Sequence, residues 1–231
     1  MIHFNKLAAT LTVTLALFAT TNSADAQSHN LQEKVKNYFL QTLKAKQNAA
    51  LKSKTDFTRN TNDATKIQKQ LKDNDVVSSK EMVWSAWCEA NRELQEEKLI
   101  KPESLQNGGG ASWNLPQELE PNAVMPYYFG SKGKADGKMP LFLYLHGSGP
   151  KEQEWQNGLI LGNIFQDAPS LYFIPQIPNE GNYYRWWQLS KQFAWEKLIR
   201  QALVEGNVDA NHLYVFGISE GGYGSQRLAS F

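Results

Sequence analysis

Leu31, Val35, Phe39 and Leu43 recur every four residues within a stretch rich in Lys, Gln, Asn and Thr, a spacing that predicts one apolar face of an amphipathic helix. Residues 52–65 crowd Ser, Thr, Asp and Asn together and read as a loop, with a second polar helix following through Leu71. Ser78 with Glu81 three positions on makes a capping-box pattern, and Val83, Trp87, Ala90 and Leu94 follow at helical spacing. A helix over 79–98 is therefore expected, with Glu93, Glu96 and Glu97 on its solvated face.

Gly108-Gly109-Gly110 breaks this helical region, and beyond it the pattern changes to short apolar runs bounded by Gly and Pro. Val124–Phe129, Leu141–Leu145, Leu171–Ile174 and Leu213–Phe216 read as strands. Between the last two, Ser190 can cap a helix whose Ala194, Leu198, Ile199, Ala202 and Leu203 share a face, and Gly206 can stop it. Strand, helix, strand is a βαβ unit and calls for a parallel sheet. The expected fold class is α/β, a mostly parallel sheet with flanking helices over residues 108–231, preceded by a helical region over 27–107.

The first residues change the picture of where the chain works. Lys6 precedes an uncharged run, Leu7 to Thr20, too short to span a bilayer comfortably, and Asn22-Ser23-Ala24-Asp25-Ala26 follows with a small-x-small pattern. Residues 1–26 therefore read as a cleaved signal peptide, with export to the periplasm or the outside and no membrane span in the mature chain. Lys+Arg 24 against Asp+Glu 23 gives no electrostatic reason for a nucleic-acid partner. His3, His29, His146 and His212 show no metal-ligand spacing, and Cys88 alone makes neither an internal disulfide nor a zinc cluster. No metal and no cofactor are expected.

Gly217-Ile218-Ser219-Glu220-Gly221 matches G-x-S-x-G, in which a serine is held on a tight strand-to-helix turn and bulky flanks would collide across the elbow. The motif alone arises often by chance. Here it directly follows the strand Leu213–Phe216 and precedes Gly222 and a helix start, the context the motif requires. A second element, His146-Gly147-Ser148-Gly149-Pro150, directly follows the strand Leu141–Leu145. Strand-HGSG followed by strand-GxSxG resembles the α/β-hydrolase superfamily, and Val208 to Gly222 is similar to its secreted esterase and polyhydroxyalkanoate-depolymerase-like branch. The resemblance covers residues from about 120 to 231.

The resemblance implies Ser219 as nucleophile, backbone N–H groups of Ser148 and Glu220 as oxyanion donors, and His146 as the residue that orients the loop. Gly147, Gly217, Gly221 and Gly222 are its loop and elbow glycines. His212 reads as a surface residue at the lower end of its strand, and the Glu220 side chain as pointing away from any base. A triad in this fold runs Ser, acid, His along the chain. After Ser219 the sequence offers Glu220 as its only acid and no histidine, so the triad acid and base are expected beyond residue 231. The function expected of the intact protein is hydrolysis of a small-molecule or polymer carboxylic ester through an acyl-serine. A serine peptidase of the prolyl-oligopeptidase type and a non-catalytic protein that kept the scaffold are the alternatives. Tyr183, Tyr184, Trp186 and Trp187 surround Arg185 on the same edge of the sheet, and either line an acyl or sugar pocket or pack beneath the N-terminal helices.

Overall fold

A computed structural model describes residues 29–45, 48, 73–95, 101–205 and 207–229. The signal peptide expected over 1–26 and the loop and helix expected over 52–71 lie outside the described residues. The chain divides into two compact units, one with the N-terminal helices and the other with the sheet.

In the first unit, α1 (residues 29–45) and α2 (Asp73–Glu93) are linked by polar contacts. Gln32 Nε2 donates to Glu89 Oε1 at 2.6 Å and to Ser85 Oγ at 3.3 Å, and Lys36 Nζ lies 3.3 Å from Glu93 Oε2. Two expectations change here. Ser78 does not cap α2, which begins five residues earlier at Asp73, a residue type equally suited to a helix start, and α2 ends at Glu93 rather than 98. The apolar stripes hold only in part. Leu43 and Ala90 lie on them and are buried, but Leu31 is 48% exposed and Val83 is 39% exposed, while Leu40 and Ala86 are buried off the stripes.

The second unit is one mixed sheet flanked by helices. Its strands are β1 (Glu103–Ser104), β2 (Gly110–Asn114), β3 (Val124–Lys132), β4 (Met139–Leu145), β5 (Ser170–Pro175) and β6 (Val208–Gly217). The sheet thus begins at Glu103, five residues before the boundary expected at 108. The order is β1-β3-β5-β4-β6, with β2 pairing antiparallel to β3 beside β1. β4 runs parallel to both β5 and β6, as the βαβ reading requires, while β3 pairs antiparallel with β5.

Alternation along the strands explains why both faces are covered. Leu141, Leu143 and Leu145 of β4 and Leu171 and Phe173 of β5 turn to one face with Ala194, Trp195, Leu198 and Ala202 of α4 (Leu189–Val204). The intervening Phe142, Tyr144, Tyr172 and Ile174 turn to the other, against Trp155 and Leu159 of α3 (Lys151–Ile164). The helix α4 matches its predicted face.

The hydrophobic pattern does not announce α3. Its Gly158 and Gly162 are ordinarily poor helix residues, yet here they let the helix lie close on the sheet. A Cβ on Gly158 would stand 2.5 Å from the Tyr144 ring and 2.8 Å from Ile174 Cγ2. α5 (Glu220–Ala229) follows β6. It contacts β6 and β4 near their C-terminal ends, where the two sequence motifs meet.

Candidate functional site

β6 stops at Gly217 and α5 starts at Glu220, so the direction of the chain reverses over Ile218 and Ser219. Leu145 O accepts the Ile218 N–H at 3.4 Å, Ile218 O accepts Gly221 N–H at 2.9 Å, and Ser219 O accepts Gly222 N–H at 2.9 Å. The tightness is carried by Ser219, whose φ is 53°. The only other non-glycine residue with positive φ among the described residues is Asn122, a type that tolerates the left-handed region. For serine that conformation costs on the order of 1 kcal/mol, so the packing around the turn must hold it.

Gly217 and Gly221 supply that packing. A Cβ on Gly221 would stand 1.8 Å from Leu145 O and 2.5 Å from the Leu145 carbonyl carbon, and one on Gly217 would stand 2.4 Å from Gly221 C. Any side chain at either position would push the elbow off β4. Gly222 differs from the expectation that groups it with them: its nearest neighbour would be Gly217 O at 3.6 Å, an ordinary contact.

The HGSG segment leaves β4 beside this turn, and side chains from three directions fix it. His146 is fully buried. Its Nε2 lies 3.0 Å from Ile177 N and can only accept that N–H, so Nδ1 carries the ring proton and donates to Gly147 O at 2.7 Å. Burial pushes the His146 pKa below the usual imidazole value, and the ring is neutral near pH 7. From α3, Glu154 Oε2 accepts the Gly147 N–H at 3.2 Å. From the loop after β5, Tyr184 Oη donates to Gly149 O at 2.7 Å. Burial, with the carboxylates of Glu154, Glu180 and Glu220, pushes the Tyr184 pKa up to about 12, so it stays a donor. Trp186 Nε1 donates to His146 O at 2.7 Å, and its ring stands edge-on to the imidazole with centroids 4.9 Å apart.

Glu220 is buried, and its Oε1 accepts the Trp186 backbone N–H at 3.2 Å. Burial raises its pKa, with the Trp186 bond and Arg185 opposing. The sequence-predicted set is thus brought together at the C-terminal edge of the sheet: Ser219, Glu220, Gly217 and Gly221 on the elbow, His146, Gly147 and Ser148 on the adjoining loop. Ser148 and Ser219 are both exposed to solvent. Only His212 stands apart. It lies on β6 with Asp209 Oδ2 2.7 Å from its Nδ1, and at about 3.3 Å per residue about 16 Å of strand separates it from Gly217 at the elbow.

The aromatic stretch divides. Trp186 packs on His146 and on Trp195 of α4 at 5.4 Å, so it is core of the sheet unit itself. Trp187 is 41% exposed and meets Tyr223 of α5 edge to face at 6.1 Å, with the Arg185 guanidinium 5.8 Å from its ring. The side chain of Tyr183 lies outside the described residues. Sequence reasoning misses Glu154 and the Ile177 N–H, the groups that hold the loop from α3 and from the end of β5, because neither belongs to a motif.

No protein-family model and no curated protein matches this chain. Among solved structures it is similar to a thermostable esterase at 23% identity and a TM-score of 0.39, over 52% of this chain and 36% of the esterase. The chain therefore spans about a third of that protein's length.

Proposed function

We propose that this chain carries the nucleophile and oxyanion side of a serine hydrolase of the α/β-hydrolase type, and that its reaction is hydrolysis of a carboxylic ester. The observation that carries the reading is Ser219 held at φ 53° between two glycines that admit no side chain, on a strand-to-helix turn beside the HGSG loop. A serine in a structural turn has no need of such strain, whereas a nucleophile exposed on an elbow does.

In this reading Ser219 Oγ attacks the ester carbonyl carbon while a histidine takes the hydroxyl proton. The carbonyl oxygen, now an oxyanion, is received by the N–H groups of Ser148 and Glu220. Collapse of the tetrahedral intermediate expels the alcohol, which takes the proton from the histidine, and water then releases the acid from the acyl-serine. The proton acceptor is neither His146, whose two nitrogens are both engaged, nor His212 at the far end of β6. We place it, with its acid partner, after the elbow in a longer gene product, and place the mature protein outside the cytoplasm on the strength of the leader pattern in residues 1–26.

The test is hydrolysis of a short-chain aryl ester by the 231-residue chain and by a product of the gene read further downstream, each with a Ser219→Ala control. Turnover that needs Ser219 in the longer protein and is missing from the shorter supports the reading. Turnover by the shorter chain that disappears in its alanine control would show that a base already lies within it.

A further inference from the structure

The loop between β5 and α4, residues 176–188, is bonded to the candidate site at several points. It sends Ile177 N–H to His146 Nε2, Tyr184 Oη to Gly149 O, Trp186 Nε1 to His146 O and Trp186 N–H to Glu220 Oε1. A loop of this length has conformational entropy to lose, and something must hold its two ends in register.

That something is a buried carboxylate from outside the site. Glu120, in the turn before β3, is fully buried. Its Oε1 accepts from Asn179 Nδ2 at 2.9 Å, near the start of the loop. Its Oε2 accepts from Ser190 Oγ at 2.5 Å and pairs with the ammonium of Lys191, both in the first turn of α4, where the loop ends. Lys191 is also fully buried, and it donates a second bond to Gln188 Oε1 at 3.3 Å. Burial depresses the Lys191 pKa and the Glu120 carboxylate opposes this, so the ammonium depends on its partner. A buried ion pair of this kind is seldom explained by stability, since apolar residues fill such a space at least as well, and it is better suited to fixing one geometry.

We propose that Glu120 is a positioning residue for the candidate site: it cinches the two ends of the 176–188 loop and so keeps the Ile177 N–H on His146 and the HGSG loop in place against the elbow. This rests on reading the HGSG loop as an oxyanion loop, but the cinch itself can be tested without any turnover. Groups facing His146 are Glu154 from α3, Tyr184 from the loop and, through Trp186, Glu220 from α5.

The experiment follows the His146 ring by nuclear magnetic resonance against pH in the 231-residue chain, with urea unfolding measured in parallel. In the parent protein His146 holds its proton on Nδ1 and titrates below 6.5. In Glu120→Gln the Ile177 bond loosens, Nε2 becomes available, and titration moves upward toward 6.5 in protein that is still folded. Asn179→Ala serves where Glu120→Gln does not fold, because it cuts the link to the start of the loop and leaves the buried pair intact. It should move the His146 titration in the same direction at a smaller cost in stability than Glu120→Gln. A folded Glu120→Gln or Asn179→Ala with His146 titrating as in the parent would overturn the proposal. Ester turnover is scored separately, on the gene product read beyond residue 231: a moved His146 with no Ser219-dependent turnover there would leave the cinch standing and remove only the hydrolase.

Discussion

A histidine lies toward each end of the paired strands β4 and β6, His212 on β6 and His146 just past the end of β4, and their surroundings differ. At the N-terminal end, His212 and Asp209 form a solvent-facing pair, in keeping with the surface reading of His212. At the C-terminal end, His146 has no carboxylate on either nitrogen; it is buried, neutral and bound to two backbone groups. The candidate site gathers around the second. A His–Asp contact says little until its place on the sheet is known, whereas a buried histidine with both nitrogens committed to backbone marks a loop whose shape matters.

The sharpest way to break this contrast is at the glycines. Gly221→Ala should cost several kcal/mol or abolish folding, because its Cβ would stand 1.8 Å from Leu145 O, while Gly222→Ala should be neutral or slightly stabilising in urea unfolding. Equal costs at the two positions would mean that the elbow is not pressed on β4. Next in size is the histidine comparison. His146→Ala leaves Ile177 N–H and Gly147 O without their partner and should lose about 2–4 kcal/mol, against at most about 0.5 kcal/mol for His212→Ala at the exposed end.

The smallest effect is on pH. His146 in the folded protein has a pKa below its unfolded value near 6.5, so the unfolded chain binds the proton first and stability is lost as pH falls through 6.5. Glu220 works the other way, since its raised pKa favours the folded state as it protonates above the ordinary carboxylate value of 4.5. Urea midpoints should therefore decline between pH 7 and 5.5 in the parent and stay flatter in His146→Ala. A parent profile with no decline there would mean that His146 protonates as readily folded as unfolded.

Much of this was legible in the sequence, for reasons that can be named. β5 declared itself because a strand buried on both faces reads as a continuous apolar run, α4 because Ala194, Leu198 and Ala202 keep helical spacing, and β4 and β6 through the apolar runs Leu141–Leu145 and Leu213–Phe216, although β6 is largely exposed. The elbow was legible because its geometry admits only glycine at Gly217 and Gly221. α3 was not, since the two glycines that let it approach Tyr144 and Tyr172 look like breaks when no partner is in view. Glu120 was equally silent. Its partners Asn179, Ser190 and Lys191 are far away in the chain, and a lone acid in a turn carries no pattern. The early start of α2 was obscured by a capping box at Ser78 and Glu81 that lies within the helix.

The central claim, that Ser219 is a nucleophile and not a turn residue, is tested most directly by mapping the adduct of a fluorophosphonate on the gene product read beyond residue 231. The account predicts a single modified peptide carrying the phosphonyl group on Ser219, no labelling in Ser219→Ala, and little on the 231-residue chain alone. Ester turnover by the longer protein with the adduct on another serine, or with Ser219 unmodified throughout, would contradict it.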